Sequence, residues 1–404
     1  MKISKKKIYI LAFISVFCYN ELINILGIPI TAIIGQNSFD TAVVVLFTLI
    51  SVVYVIVDSL KHISKNSFLL LIPIGTIVLT RLFLGENYIY MSQEIGKISM
   101  GLLGFLLALI LTQNNLLGRS LQGVGYICFI YSVLVVMVKL QLLDVPEADV
   151  SYMEFGYNVL PSAILCYSKY NMENKKLDLI ITATSCLFIL MLGSRGALLS
   201  FFLFVGLYRF TVDGVRSVKF YSFILLAIGA VIVLTNPVVM SWIANMLGNV
   251  FHYESRTLMK LVSNTILDDS GRNVMYDEAQ KLISENWLIG VGPYGDRAFI
   301  YFDTNDIRSR GFGHYVHNLF YEFMIDFGVP FTVLFFGGYL VLILYIIIKD
   351  KSKKNLIVTI TSMWLFRLLA SGSFWTEVWF WGGIGITLEL YKVCKVTVPR
   401  HRDN

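Results

Sequence analysis

Charged residues are scarce in this sequence. Only 15% of its 404 residues are Asp, Glu, Lys or Arg, whereas an ordinary soluble domain has about 25%. A soluble globular fold is excluded, because 56% of the residues are hydrophobic and a chain of this length cannot hide that much apolar surface from water. Lipid must therefore be the solvent for most of the chain.

Cysteine is also sparse, and its placement excludes two common kinds of site. The five cysteines occur one at a time within or beside apolar runs, without a CxxC pair, so neither a metal site nor a disulfide framework is indicated. No phosphate-binding loop of the GxxxxGK[ST] kind is present. The net charge of +6 comes from short loops between apolar runs, so we expect no nucleic-acid partner.

What the sequence does contain is a series of apolar runs. We predict an all-α polytopic membrane protein with about twelve transmembrane helices in one domain, residues 1–404, beginning with an uncleaved first helix. The tenth run is interrupted at Phe327-Gly328-Val329-Pro330, which indicates either a kinked helix or an interfacial helix leading into a span. The predicted runs are approximately 8–26, 41–58, 67–84, 97–112, 122–142, 155–170, 178–193, 196–210, 220–241, 317–348, 355–371 and 377–391.

Lysine and arginine predict the orientation of these spans. The loops on the same side as Lys5-Lys6-Lys7 carry most of the basic residues, whereas the opposite loops are neutral or acidic. Because basic loops face the cytoplasm, both termini are predicted to be cytoplasmic. Residues 242–316, between the ninth and tenth spans, then form one large extracytoplasmic loop. This loop is predicted to contain a short amphipathic helix over residues 271–286, lying on the membrane surface, and a turn over residues 290–295.

Two arginines lie at positions where a positive charge is not expected. Arg195 lies in a short hairpin that is predicted at the outer membrane face, where the positive-inside bias disfavours arginine, and flanking glycines would let a ligand approach. The alternative is an interfacial side chain that reaches the lipid headgroups. Arg272 opens the loop helix, whose N-terminus offers N–H groups to a phosphate. Its alternative is a solvated surface residue.

Two histidines mark the point where the loop returns to the membrane. His314 and His317 are three residues apart, and histidine is the usual general base near neutral pH. We predict a functional role for one of them, with His317 as the catalytic candidate and His314 as a substrate-binding one. An inert loop histidine is the alternative. A zinc site built on both would need further ligands, and no third is evident.

The remaining candidates are arginines with less specific surroundings. Acidic neighbours favour a solvated face for Arg297, Arg308 and Arg310, with substrate binding by Arg297 and Arg310 as the alternative. Arg367 lies inside an apolar run, so it should face the protein interior and either pair with Glu377 or bind substrate. The aromatic run 374–381 predicts an interfacial belt, with stacking on sugar rings as the alternative.

Arginines at a membrane surface suit a lipid-linked phosphate or pyrophosphate, which a guanidinium can hold bidentately. A lipid-pyrophosphate sugar donor needs its leaving group stabilised and an acceptor hydroxyl oriented and deprotonated. Fixed positive charge and a histidine supply both functions. The candidate residues therefore favour transfer of a sugar from a lipid-linked donor.

Three passages in this order resemble the O-antigen polymerase and ligase superfamily, the Wzy-type membrane glycosyltransferases. They are Gly193-Ser194-Arg195-Gly196-Ala197, then Gly271-Arg272 with its helix and Gly290-Val291-Gly292, then His317-Asn318 with the span that follows. The likeness covers about residues 155–345. Family members often have proline just before the Gly-x-Gly turn, where this chain has Glu285-Asn286-Trp287-Leu288.

The resemblance implies a metal-independent, inverting transfer without a cofactor, from a glycan linked to undecaprenyl pyrophosphate. Arg195 and Arg272 would hold the pyrophosphate, and His317 would orient or deprotonate the acceptor hydroxyl. It further implies a bacterial cytoplasmic membrane protein that works with a chain-length regulator and a flippase.

The leading hypothesis is a polymerase of capsular, exopolysaccharide or O-antigen repeat units. A ligase that moves finished glycan to another acceptor is the first alternative, because it uses the same donor chemistry. A flippase or other transporter is less favoured, since transporters commonly have repeated halves and none is evident. A non-catalytic membrane scaffold is the last alternative.

Overall fold

The computed structural model describes residues 4–34, 39–60, 64–140, 142–143, 152–192, 194–236, 272–301 and 311–396, and a few positions in 238–249. Every element of secondary structure in this part of the chain is a helix, which confirms the all-α prediction. The α-helices are α1 Lys5–Phe17, α2 Tyr19–Ile34, α3 Phe39–Ser59, α4 Leu71–Phe83, α5 Gly85–Gln93, α6 Ile95–Gln113, α7 Leu117–Lys139, α8 Tyr152–Glu173, α9 Lys176–Leu192, α10 Arg195–Tyr208, α11 Val218–Thr235, α12 Arg272–Glu285, α13 Gly295–Phe299, α14 Leu319–Phe327, α15 Val329–Lys349, α16 Lys354–Ala370 and α17 Val378–Val396.

Six helical segments within the described residues are long and apolar enough to cross a membrane, which together with the helical fold makes this a multi-pass membrane protein. A seventh results if the bent pair α1 and α2 is one span. The total of about twelve spans stays a prediction. The six segments are Thr41–Ser59, Lys65–Phe83, Ile95–Gln113, Leu117–Lys139, Arg195–Asp213 and Val329–Lys349.

Two predicted runs are divided by a break. The run at 8–26 is not one straight helix, because α1 and α2 meet at an angle of 87°. The run at 317–348 separates at Gly328, whose φ of +80° belongs to a region that L side chains rarely adopt. The nine-residue α14 thus precedes a separate 21-residue α15, which fits the second of the two sequence-based alternatives. Pro330 lies in the first turn of α15, where its missing N–H costs nothing.

The helices form two compact units. The first contains residues 1–61, 114–268 and 358–363, and the second contains residues 62–113, 269–357 and 364–404. In the first unit, a methyl group added at Gly156 would collide with the Ser194 side chain. Only glycine lets α8 approach the start of α10 so closely.

In the second unit, α6 and α17 pack closely against each other. A Cβ atom at Gly385 would lie 2.7 Å from the carbonyl oxygen of Phe105, so glycine is required for this approach. At one end of the pair, the buried Glu389 carboxylate accepts hydrogen bonds from two other segments of the unit, and it pairs with Lys392 of its own helix, Nζ to Oε1 at 3.1 Å. The donors from these two segments are Ser64 Oγ at 2.7 Å and Asn66 Nδ2 at 3.3 Å in one, and Gln113 Nε2 at 3.4 Å in the other. A buried charge is retained here because several donors compensate it.

The loop helix forms where it was predicted, but its apolar face has a different partner. Met275 and Ala279 of α12 are 2% and 0% exposed, and they pack with Ile300, Val316 and Ile325 in a small core. The interpretation that this face lies on the membrane surface is therefore wrong. Helical periodicity identifies an apolar face, but it does not tell whether protein or lipid covers that face.

The prediction of an interfacial aromatic belt over residues 374–381 is also wrong. Phe374, Trp375, Trp379 and Phe380 are each 1–2% exposed, and Phe374 packs on Phe323 of α14 with ring centroids 4.1 Å apart. The run is a buried aromatic cluster that joins α14 to the start of α17. Aromatic side chains mark a membrane interface only when they reach the surface.

Candidate active site

Arg195 is the first residue of α10 in the first unit. The preceding turn is tight, since the Ser194 N–H donates to the Ile189 carbonyl at 3.2 Å and the Leu198 N–H donates to the Ser194 carbonyl at 3.2 Å. Ser194 is buried, whereas Arg195 is half-buried. The structure thus confirms a short hairpin with an arginine at its turn. The N-terminus of α10 adds the positive end of the helix dipole to that arginine.

Arg272 is the first residue of α12 in the second unit, as the sequence predicted. The four residues before it, Asp268-Asp269-Ser270-Gly271, lie outside the described residues. Packing against α14 fixes the axis of α12. Gln280 Nε2 donates to the hydroxyl of Tyr321 at 2.9 Å, and the ring of Tyr276 meets that of Tyr321 edge to face at 5.4 Å. These contacts tie the helix of Arg272 to the helix that follows His317.

The turn after α12 is clamped to the junction between α14 and α15. The Val291 N–H donates to the Ile325 carbonyl at 2.7 Å, and the Val329 N–H donates to the Trp287 carbonyl at 2.7 Å. The two backbone segments come so close that neither Gly290 nor Gly328 has room for a Cβ atom. Each of these glycines lies against backbone atoms of the opposite segment. Both have a positive φ, +70° and +80°. This confirms the predicted turn and explains both glycines.

His317 is held in a strained backbone conformation between two anchored neighbours. Its φ is +54°, a region that costs a non-glycine residue about 1 kcal/mol or more. The Val316 N–H donates to Asp296 Oδ2 at 3.0 Å. The side chain of Asn318 caps α14 by accepting from the N–H groups of residues 320 and 321. The Tyr315 ring lies 4.1 Å from the His317 ring, and the imidazole is half-buried.

Arg297 forms the centre of a buried ionic cluster, so the prediction of a solvated face is wrong for this residue. It is 3% exposed. Its Nη1 donates to Asp296 Oδ1 at 2.7 Å and to Glu322 Oε1 at 3.2 Å, and its Nη2 lies 3.8 Å from Glu94 Oε2. The guanidinium also lies 4.2 Å from the centre of the Tyr294 ring. Three carboxylates and an aromatic face surround it.

Asp326 is a further carboxyl group of this cluster, and the hydrogen bonds of Glu322 and Asp326 reach other segments. Glu322 accepts from the Ser373 hydroxyl and, at 3.1 Å, from the Phe374 N–H. Asp326 accepts from Trp375 Nε1 at 2.7 Å and from the Gly295 N–H at 3.2 Å. We call Asp296, Arg297, Glu322 and Asp326 the buried acidic cluster. It joins α13, α14 and the segment before α17.

The buried acidic cluster contains three carboxyl groups and one guanidinium, and burial shifts the pKa values of two of these carboxyl groups. Burial raises the pKa of Glu322, although Arg297 opposes that shift. Burial also raises the pKa of Asp326 well above its usual range, and the charges of Asp296 and Glu322 act in the same direction. The folded protein therefore holds protons at this cluster more tightly than isolated carboxyl groups would.

Glu322 and Asp326 were not among the site residues predicted from the sequence. A usable signal was present, because two carboxyl groups four residues apart in an apolar run must share one helix face and need buried partners. Their partners were not readable from the sequence. Arg297 and Trp375 lie 25 and 49 residues away along the chain, and only the fold brings them together.

Of the other predicted arginines, one has a partner and two lie outside the described residues. Arg367 Nε lies 2.9 Å from Glu377 Oε2, so the ion pair, one of the two alternatives for this residue, is present. Arg308 and Arg310 lie outside the described residues. His314 is half-buried in the segment where the Gly313 N–H donates to the Arg297 carbonyl at 2.9 Å.

Residues 180–336 match the model of the family described as O-antigen ligase. The resemblance to the O-antigen polymerase and ligase superfamily is confirmed over this range. It contains Arg195, Arg272 and His317, together with the turn at 290–295. Arg367 lies outside it. A search of curated proteins finds no match.

Proposed function

We propose that this protein polymerises lipid-linked oligosaccharide repeat units of a capsular, exopolysaccharide or O-antigen type. The observation that carries the proposal is the family match, which spans the hairpin of Arg195, the helix of Arg272 and the anchored segment of His317. The glycan would move from an undecaprenyl-pyrophosphate carrier to a sugar hydroxyl at the outer face of the bacterial cytoplasmic membrane, with both termini cytoplasmic and residues 242–316 outside.

The proposed reaction is a single inverting displacement. The acceptor hydroxyl oxygen bonds to the anomeric carbon while the bond from that carbon to the pyrophosphate oxygen breaks. His317 accepts the hydroxyl proton. The leaving pyrophosphate keeps the electron pair, and Arg195 and Arg272 neutralise its developing charge. The strained and anchored backbone of His317 supports this assignment, because such strain concentrates at functional sites.

Among the other candidates, the structure favours different roles. His314 lies three residues before His317 and, with Arg310, is proposed to contact substrate. Arg297 is enclosed by carboxylates, so we propose that it positions the His317 segment through Asp296 rather than binding the donor. The ion pair with Glu377 favours a structural role for Arg367 in the same way.

Ligation of finished glycan to a different acceptor is the second candidate function. The description of the matching family, O-antigen ligase, favours it. Donor binding and base catalysis would be the same in both reactions. The two differ in the acceptor, and therefore in the lipid-linked product that accumulates when the enzyme fails.

Single replacements of Arg195, Arg272 and His317 by Ala in the native host test the proposal. We expect each variant to lose surface polymer and to accumulate single repeat units on the lipid carrier. Accumulation of long lipid-linked polymer would indicate a ligase instead. Lys97→Ala is a matched control, because its side chain is 70% exposed and, within the described part of the chain, its one ion pair is with Glu94 three residues earlier. Normal polymer in all three variants would refute the site.

A further inference from the structure

Three consecutive apolar side chains are exposed in the turn that follows α12, one residue beyond the end of the helix. Trp287, Leu288 and Ile289 are 56%, 58% and 77% exposed. A run of three large apolar residues on a surface is costly in water and marks a contact with a partner or a membrane. We call these three residues the apolar tip.

The apolar tip is fixed to the beginning of a candidate membrane span. The Trp287 carbonyl accepts from the N–H of Val329, the first residue of α15, at 2.7 Å. A side chain at Gly328 would collide with the backbone of Leu288 and Ile289. These backbone contacts therefore fix the position of the apolar tip relative to the start of α15.

The surface of α15 continues the apolar character of the tip. Phe331, Val333 and Leu334, in the first two turns of this helix, are 47%, 64% and 73% exposed. In a segment of this length and hydropathy, such side chains face lipid. The lipid-facing surface of α15 and the apolar tip thus begin at the same junction.

A second candidate span ends beside the same turn. Lys65–Phe83 is one of the six spanning segments, and the residue after it, Leu84, contacts the position of Gly292. Asn87 then donates through Nδ2 to the carbonyl groups of residues 291, 292 and 293 at 2.9–3.2 Å. The end of one span and the start of another therefore both lie next to the segment that carries the tip.

The neighbouring helix α12 does not offer a comparable apolar surface. The side that carries Met275 and Ala279 is buried in protein, and its exposed positions include Asp277, Glu278, Lys281 and Ser284. Contact with lipid through α12 itself would bury these polar groups at a cost. The apolar tip can contact lipid without burying charged side chains.

We propose that Trp287, Leu288 and Ile289 insert into the bilayer and anchor the large loop to the membrane surface. The partner is bilayer lipid, because the tip is continuous with the lipid-facing surface of α15 and lies where two spans end. The tryptophan ring suits the headgroup level, where such residues concentrate, and the leucine and isoleucine side chains suit the outer part of the acyl chains. This anchor does not depend on which glycan reaction the protein performs.

Site-specific labelling tests the anchor in the full-length protein. Ile289→Cys is labelled with an environment-sensitive fluorophore after reconstitution into phosphatidylcholine vesicles that contain no polyprenyl lipid, and brominated phosphatidylcholine is the quencher. The matched control is Ser284→Cys, an exposed position on α12 five residues earlier. Labelling of the unsubstituted protein, which has five cysteines, is subtracted. Leu288→Cys repeats the measurement should Ile289→Cys reconstitute poorly.

We expect brominated lipid to quench the label at position 289 several-fold more strongly than the label at position 284. Equal quenching at both positions would contradict the proposal, because it would place α12 itself in lipid. Quenching that appears only after polyprenyl phosphate is added would assign the tip to the lipid carrier instead. A blue-shifted label that brominated lipid does not quench would indicate an apolar protein partner and would also overturn the proposal.

Discussion

A buried cation lies among carboxylates in each of the two units, and the two arrangements differ in geometry and charge balance. In the first unit, Lys169 Nζ lies 3.9 Å from the carboxylates of both Glu173 and Asp178, and the Glu173 side chain is 45% exposed. In the second unit, Arg297 donates to two carboxylates at 2.7 and 3.2 Å, and a third carboxyl group of the cluster, Asp326, is fully buried.

The hydrogen-bond partners around Lys169 and around Arg297 show that the two arrangements have different structural roles. The Lys169 group joins side chains of three helices, since Tyr126 of α7 donates to Asp178 of α9 at 3.0 Å and lies 3.3 Å from Lys169 of α8. The buried acidic cluster instead accepts from backbone N–H groups of residues 295, 316 and 374. The first arrangement holds helices together, whereas the second fixes the conformation of irregular segments beside His317.

Replacing Arg297 should produce the largest effect. Arg297→Met leaves the carboxylates of the cluster buried without their cation, which typically costs about 3–5 kcal/mol. We expect a marked loss of thermal stability, measured as monodisperse protein remaining after heating in detergent. Lys97→Met, at an exposed pair, should change little. An Arg297→Met protein as stable as the parent would show that the cluster does not depend on its cation.

Asp296→Asn is a small chemical change, but we expect it to have a large effect on activity. The change keeps the shape of the side chain but weakens its bonds to Arg297 and to the Val316 N–H, so the backbone before His317 loses its anchor. Misplacement of a catalytic group by about 1 Å can lower a rate about 100-fold. We expect polymer formation, measured with lipid-linked repeat units in vesicles, to fall about 10- to 100-fold, mainly in kcat. A rise in KM alone would contradict a positioning role.

Stability should decrease as pH rises. Burial raises the carboxyl pKa values of Glu322 and Asp326 in the folded state, so their protons stabilise the fold below the ordinary carboxyl pKa of about 4. This contribution is lost as pH rises through the raised folded values. Thermal denaturation in detergent across this range measures the slope, and Glu322→Gln should make it shallower. An unchanged slope in the variant would exclude Glu322 as a source.

Removing the Lys169 pair as a unit should have the smallest effect. The double variant Lys169→Met, Asp178→Leu eliminates both charges and leaves apolar side chains of similar size. Such replacements of a buried pair are often neutral or stabilising, so we expect a change within about 1 kcal/mol in the same detergent assay. A loss as large as that of Arg297→Met would remove the distinction between the two arrangements.

Much of the fold was predictable because lipid imposes simple rules on a sequence. The length of apolar runs predicted helices such as α6, α7 and α15, and the glycine with its following proline predicted the break at residue 328. Arg272 was correctly expected at the start of its helix, and Arg195 in a short hairpin between two helices. Each of these features depends on a few adjacent residues, so local patterns were sufficient.

The parts that were not predicted depend on contacts between distant residues. The burial of Arg297 results from Glu322, 25 positions later, and Glu94, more than 200 positions earlier. The apolar face of α12 could be recognised from its spacing, but its covering residues Ile300 and Ile325 could not. The same periodicity fits lipid and protein surroundings equally well, and only the fold distinguishes them.

The break at Gly328 has a consequence for how the chain enters the membrane during synthesis. A carboxylate in the middle of a spanning helix is penalised by about 2.5–3.5 kcal/mol at insertion, and the preceding helix Leu319–Phe327 contains Glu322 and Asp326. Because the break separates this helix from Val329–Lys349, the apolar segment can insert without carrying the two acids into the lipid. The acidic helix can then reach its partners after insertion, when Arg297 and Trp375 are both in place.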